Sequence, residues 1–236
     1  MAWCADGIQA VLFTTPGLQH PDALKVWNWL FDGESPDNFQ RGQPGPNQIS
    51  NASAVRGLYN IVATSQFGRI TISAHASEAP GDGPPQIKDY EAALDEVAKL
   101  TRNVVDRIES NRLGLTLNMS QLTEAEGINE QMEKLTGGIK FPPSSTDLVY
   151  QFNQKTQLDF PKSVEINRIC TWLTGAHQYF TMPTFGGVPT ASNMPFIAFN
   201  IDINTAGTGH FTGAIADSIM NALAVEAKTA ARKGRL

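Results

Sequence analysis

Two tripeptides share one pattern, a histidine followed two residues later by a hydroxyl: His75-Ala-Ser77 and His210-Phe-Thr212. In an extended strand, positions i and i+2 project to the same side, so each tripeptide can aim an imidazole and a hydroxyl at one place. Two such pairs facing each other across a phosphodiester would supply a general base, a general acid and hydrogen-bond donors for the phosphate oxygens. The second tripeptide lies in a glycine-rich turn, with Gly207, Gly209 and Gly213. A turn of this kind between a strand and a helix N-terminus offers free N–H groups and a positive dipole end to an anion. It lacks the Lys-Ser/Thr ending of a Walker loop and the spacing of a dinucleotide fingerprint. The plain alternative is a connection with Thr212 as the helix cap. Gly207 and Gly209, with Asp202 just upstream, are the candidate ligand-binding residues.

Other chemistries have less to build on. The sequence has no HxxxH, HExxH or paired-cysteine spacing, and Asp202 has no acidic residue two positions away. Asp147, Asp159 and Glu165 can join it only through tertiary structure, so no metal and no cofactor are expected. Cys4 and Cys170 form no disulfide framework and suit a reducing compartment. Cys170, beside Trp172 in an apolar run, reads as core, and so do Trp27 and Trp29. A formal net charge of −5 argues against a broad nucleic-acid-binding face while leaving room for a local patch. The basic residues near the end, Lys228, Arg232, Lys233 and Arg235, read as favourable charge at a helix C-terminus. No apolar run is long enough to cross a bilayer, and the first residues have no basic stretch ahead of an apolar one. The expected location is the cytoplasm.

The elements that position these residues follow from periodicity. With 41% hydrophobic and 17% charged residues, the 236-residue chain has enough apolar material for a sizeable core. The run 8–15, ending at Pro16 and Gly17, reads as a strand; Leu24, Trp27, Leu30 and Phe31 then share a helix face that Gly33 can stop. Residues 55–66 and 68–77 read as a hairpin, with Ile70, Ile72, Ala74 and Ala76 alternating against Arg69, Thr71, Ser73 and His75. A long helix from about 87 to 108 carries Ile87, Tyr90, Leu94, Val97, Val104 and Ile108 as its stripe. The order then repeats. Residues 112–120 alternate with Leu113, Leu115, Leu117 and Met119 on one side. Thr123 and Glu126 have capping-box spacing ahead of a helix that Gly137 can end. Strands are predicted at 147–158, 163–173 and 195–204, separated by a loop at 181–195, and a final helix carries Ile215, Ile219 and Leu223. The aperiodic stretch 33–53 reads as a mobile surface loop.

This pattern predicts an α+β fold of two ferredoxin-like β-α-β-β-α halves, 1–111 and 112–236. The halves share a mostly antiparallel sheet as one compact unit, with an extra strand in the second half.

Two resemblances add to this reading. The paired H-x-[ST] tripeptides, one in each half, resemble the motifs of the two-histidine phosphoesterases. That likeness implies a phosphodiester or nucleotide hydrolase with His75, Ser77, His210 and Thr212 as catalytic residues. The chain departs from the family pattern at Glu78 and Gly213, where the family has apolar residues. The whole-chain layout, with the "RLGLTLNMS" strand at mid-chain and the late "NIDIN" strand before the last helix, resembles a sporadically distributed family of uncharacterised bacterial two-half α+β proteins. That likeness implies a role in mobile-element or antiviral defence settings, carries Asp202 across as a polar position, and supplies no reaction. The leading expectation is therefore a non-enzymatic binding or regulatory protein with a protein partner or a second copy as its target. Hydrolysis, and nucleotide or phosphate binding at 207–213, are the alternatives.

Overall fold

Ile8, Ala10 and Leu12 alternate with Gln9, Val11 and Phe13, and in the computed structural model this stretch is the central strand β1, Cys4–Thr14. The structure describes residues 3–14, 20–43, 48–77, 84–142, 145–159, 163–181, 190–207 and 209–234, with backbone only for 179–181 and 190–192. After β1 come α1 (Ala23–Leu30), β2 (Asn38–Arg41), β3 (Ile49–Arg56), β4 (Tyr59–Gln66), β5 (Arg69–Ala76) and α2 (Tyr90–Val105). The chain continues with β6 (Ser110–Leu122), α3 (Ile128–Leu135), β7 (Val149–Leu158), β8 (Val164–Thr181), β9 (Thr190–Thr205) and α4 (Gly213–Lys233).

Among the described residues, nine strands form one sheet in the order β2-β3-β4-β5-β1-β6-β9-β8-β7, and every neighbouring pair is antiparallel. The fold is α+β, as expected. Read outward from the central β1–β6 pair, β1-β5-β4-β3 and β6-β9-β8-β7 have the same connections: strand, helix, three-strand meander, helix. This differs from the β-α-β-β-α-β order of a ferredoxin-like unit. The additional strand, β2, also belongs to the first half and not the second.

The predicted alternation places the core. Ile8, Ala10 and Leu12, Ile70, Ile72 and Ala74, Leu113, Leu115 and Leu117, and Ile197, Phe199, Ile201 and Ile203 fall in one buried cluster with Leu94, Val97, Ile219 and Leu223 of the helices. Over that face α2 packs on β1 and β5, α4 on β6 and β9, α1 on β3 and β4, and α3 on β8, while α2 and α4 touch each other. Alanines 216, 224, 227, 230 and 231 make up much of the buried side of α4. Ile215, assigned to that stripe by its spacing, is exposed.

Several local expectations are corrected. The stretch 33–53 contains β2 and the start of β3. The periodicity of β3 is hidden because its buried positions are small: Ser50 and Ala52 in this stretch and Ala54 just past it. Ser50 Oγ accepts from the Ala23 N–H at 2.8 Å and so ties β3 to the start of α1. No capping box forms before α3, which begins after Gly127 in a left-handed conformation; Thr123 Oγ1 instead donates to Gln131 Oε1 at 2.8 Å. Thr212 holds the N-cap position of α4 but makes no side-chain cap bond. Strand pairing continues to Thr181 and resumes at Thr190, within the stretch read as a loop, because β8 and β9 extend together past Leu122, the last residue of β6 paired with β9. Pro16, Gly17, residues 44–47, Glu78, residues 182–189 and Arg235 lie outside the described residues. Lys228 and Arg232 reach sideways from α4 to Asp95 and Glu91 of α2. No described helix is long and apolar enough to cross a membrane.

Candidate functional site

The strand positions between the core residues all project to the opposite face of the sheet, against which no described helix packs. His75 is on this face of β5, half-buried. Its ring lies over Gly7, where β1 makes a register shift; a Cβ at Gly7 would come within 2.9 Å of His75 Nδ1. Ser77 Oγ donates to the Leu58 carbonyl at 3.1 Å.

His210 sits at the other end of the sheet. It is exposed and paired with the Glu109 carboxylate, beside the Ser110–Phe211 bridge. Ser110 pairs with Thr14, whereas His75 neighbours Gly7. Gly7 and Thr14 lie seven residues apart on β1, which at the usual strand rise is about 23 Å. The two histidines therefore do not share a phosphate-sized space. Strand register keeps His75 and Ser77 at one end, and His210 and Thr212 at the other.

The glycine turn is also committed. The Gly209 N–H donates to Asn111 O at 2.8 Å and the Phe211 N–H to Ser110 O at 2.9 Å, so the turn is stitched to the start of β6. Gly207 is in the left-handed region, at φ +75°. A Cβ at Gly209 would overlap the Phe211 ring, which is buried. Asp106 and Glu109 stand near the N-terminus of α4, where the anion would have to sit. Two N–H groups of the turn are taken and two carboxylates are close, and both features work against an anion at this turn.

Asp202 does lie on the open face, half-buried, at the end of a polar chain running across four strands. Asn153 Nδ2 donates to Asn167 Oδ1 (3.1 Å), and Asn167 Nδ2 to Asn204 Oδ1 (3.0 Å). Arg112 Nη2 donates to the same oxygen (2.7 Å), and Asn204 Nδ2 to Asp202 Oδ1 (2.8 Å). Asn204 is only 4% exposed, so these bonds satisfy an amide that would otherwise be costly to bury. Beyond Arg112 the row continues to Phe13 and Arg69, paired across β6, β1 and β5. Sequence reasoning passed over this row, although the alternation around Leu113, Leu12 and Ile70 already placed all three residues on the polar phase.

A second cluster surrounds His20 on the helix side. A cleft of about 370 Å³ is lined by His20, Asp22, Arg41, Gln48, Ser50 and Ser65 among others. His20 Nε2 lies 2.9 Å from Ser65 Oγ, and Nδ1 3.5 Å from Thr14 Oγ1. Burial holds the His20 pKa below the ordinary histidine value. Ser65 is 2% exposed and its hydroxyl donates to the Pro21 carbonyl. Together with the hydrogen bonds of the His20 ring to the backbone of Arg69 and Gln66, these contacts fix the entry to α1.

Burial pushes the Cys170 thiol up to about 11 and the half-buried Cys4 thiol up as well, so both are protonated at neutral pH. Asp147, Asp159 and Glu165 join no group of metal-ligating side chains among the described residues. Set against known proteins, the chain matches no protein-family model and no curated protein.

Proposed function

We propose that the protein is a non-enzymatic binding or regulatory protein of the cytoplasm, acting through a protein partner or a second copy of itself in a bacterial defence or mobile-element setting. One observation carries this reading: a nine-stranded sheet with its helices on one face only, the other face presenting amide and hydroxyl side chains. Thr116, Asn118 and Asn200 lie near its centre, and Asn118 stands directly opposite Asn200. A broad, half-exposed set of donors and acceptors on a rigid sheet suits recognition of a surface better than turnover of a small substrate. The separation along β1 counts against the paired-histidine reading, and two occupied N–H groups with two nearby carboxylates count against the phosphate-turn reading. We also read the two halves, 1–111 and 112–236, as copies of one unit, on the strength of their matching connections.

The test is a pair of surface variants. Thr116→Arg with Asn200→Arg puts bulk and charge on the open face; Val225→Arg changes an exposed position on α4. Wild type is expected to self-associate in sedimentation velocity, or to retain a stoichiometric protein from native lysate. The open-face variant should lose that species and Val225→Arg should keep it. A wild type that stays monomeric and captures nothing, or an open-face variant that still binds, would overturn the reading.

A further inference from the structure

Arg69 and Arg112 flank Phe13 on the open face as its direct neighbours on β5 and β6. Their Cζ atoms lie 5.8 and 5.5 Å from the Phe13 ring centroid, within cation–π range. Phe13 is half-buried yet outside the hydrophobic core, so its ring serves as a spacer between the two guanidiniums. Each guanidinium is also pinned by one neutral partner. Arg69 Nε donates to Thr71 Oγ1 at 3.2 Å, and Arg112 Nη2 donates to the buried Asn204 amide. Neither forms an ion pair with a carboxylate among the described residues, whereas Arg41, Arg56, Arg102, Arg168 and Arg232 all do. Arg112 Nε is buried with no hydrogen-bond partner at all.

Two cations are thus held on one solvent-facing row with no carboxylate partner among the described residues. Arg69 keeps both Nη groups and Arg112 keeps Nη1 as donors without a partner among the described residues, and guanidinium N–H groups suit phosphate oxygens. We propose that Arg69, Phe13 and Arg112 form a recognition site for phosphate groups, borne either by a small molecule or by a single-stranded oligonucleotide laid across the open face. The two guanidiniums bind the phosphate oxygens and Phe13 holds them apart at fixed spacing. This inference goes beyond the protein-binding role above and does not depend on it.

Titration calorimetry at low salt tests the site with three probes: inorganic pyrophosphate, a short oligothymidylate, and an oligoglutamate peptide of similar charge. Wild type is expected to bind at least one phosphate probe saturably. Arg69→Gln should weaken that binding at least about tenfold, as loss of a charge-assisted contact predicts. Arg112→Lys keeps the charge but loses the planar guanidinium that Asn204 and Phe13 hold in place, and should also weaken it. Arg102→Gln, on α2, removes an equal charge away from the site and should leave it unchanged. Pyrophosphate binding as tight as the oligonucleotide assigns the site to free phosphate groups; binding of the oligonucleotide alone assigns it to a nucleic-acid backbone. The proposal fails if wild type binds neither phosphate probe, if oligoglutamate binds more tightly than both, or if Arg102→Gln weakens binding as much as Arg69→Gln. Arg69 is half-buried at the start of β5, so its variant is expected to fold, and a thermal melt checks this.

Discussion

Gly209 shows how one residue can satisfy a functional pattern for a packing reason. A methyl group there would meet the ring of Phe211, which is buried against the start of β6. Gly209→Ala is therefore expected to destabilise the fold by about 1–3 kcal/mol, the usual cost of overpacking, in urea denaturation and without any ligand. An unchanged midpoint would mean that Phe211 is free to move aside. His20 gives a pH signature at the same scale. Its folded pKa lies below 6.5 because the ring is buried, so it is neutral in the native state while the unfolded chain takes up a proton as pH falls. Stability should thus be full above that value and decline as pH drops through it, and His20→Gln should flatten this part of the curve. The cysteines differ in access: native protein near neutral pH should alkylate Cys4 before Cys170, since Cys170 is 3% exposed and holds its proton up to about 11.

The helices start by unequal means, and these can be separated by substitution. Asp89 caps α2 by accepting from the Ala92 N–H at 3.0 Å, and Asp22 caps α1 by accepting from the Lys25 N–H at 2.8 Å. Thr212 occupies the same position before α4 without a side-chain bond. Asp89→Ala should cost about 1 kcal/mol, and Thr212→Ala should cost markedly less, both read from chemical denaturation. Equal losses would show that the cap of α4 forms in solution after all. The strands make the complementary point. Alternation in 8–12, 70–74, 113–119 and 197–203 assigns each residue to its face, because strand side chains reverse with period two whatever lies beside them. It failed for β3, where serine and alanine take the buried places and leave no hydropathy contrast.

Taken whole, the molecule has one core. The central β1–β6 pair joins the two halves, α2 packs against α4 across the same line, and one buried cluster includes residues from both. Unfolding should accordingly be a single cooperative transition, with coincident circular dichroism and tryptophan fluorescence. Residues 1–111 and 112–236 expressed apart should each lack such a transition, since each would expose the edge of its first strand and one side of its long helix. Two independent transitions in the intact chain would refute the shared core. By itself the sequence determined the α+β class, the main helices and the inward or outward aspect of most strand residues, because these depend on local periodicity. Only the tertiary structure decided which outward residues meet. Strand order and register set His75 and His210 at opposite ends of β1, engaged the Gly209 and Phe211 N–H groups with β6, and drew Arg69, Phe13 and Arg112 from three strands into one row. Those outcomes depend on non-local pairing, which leaves no periodic trace along the chain.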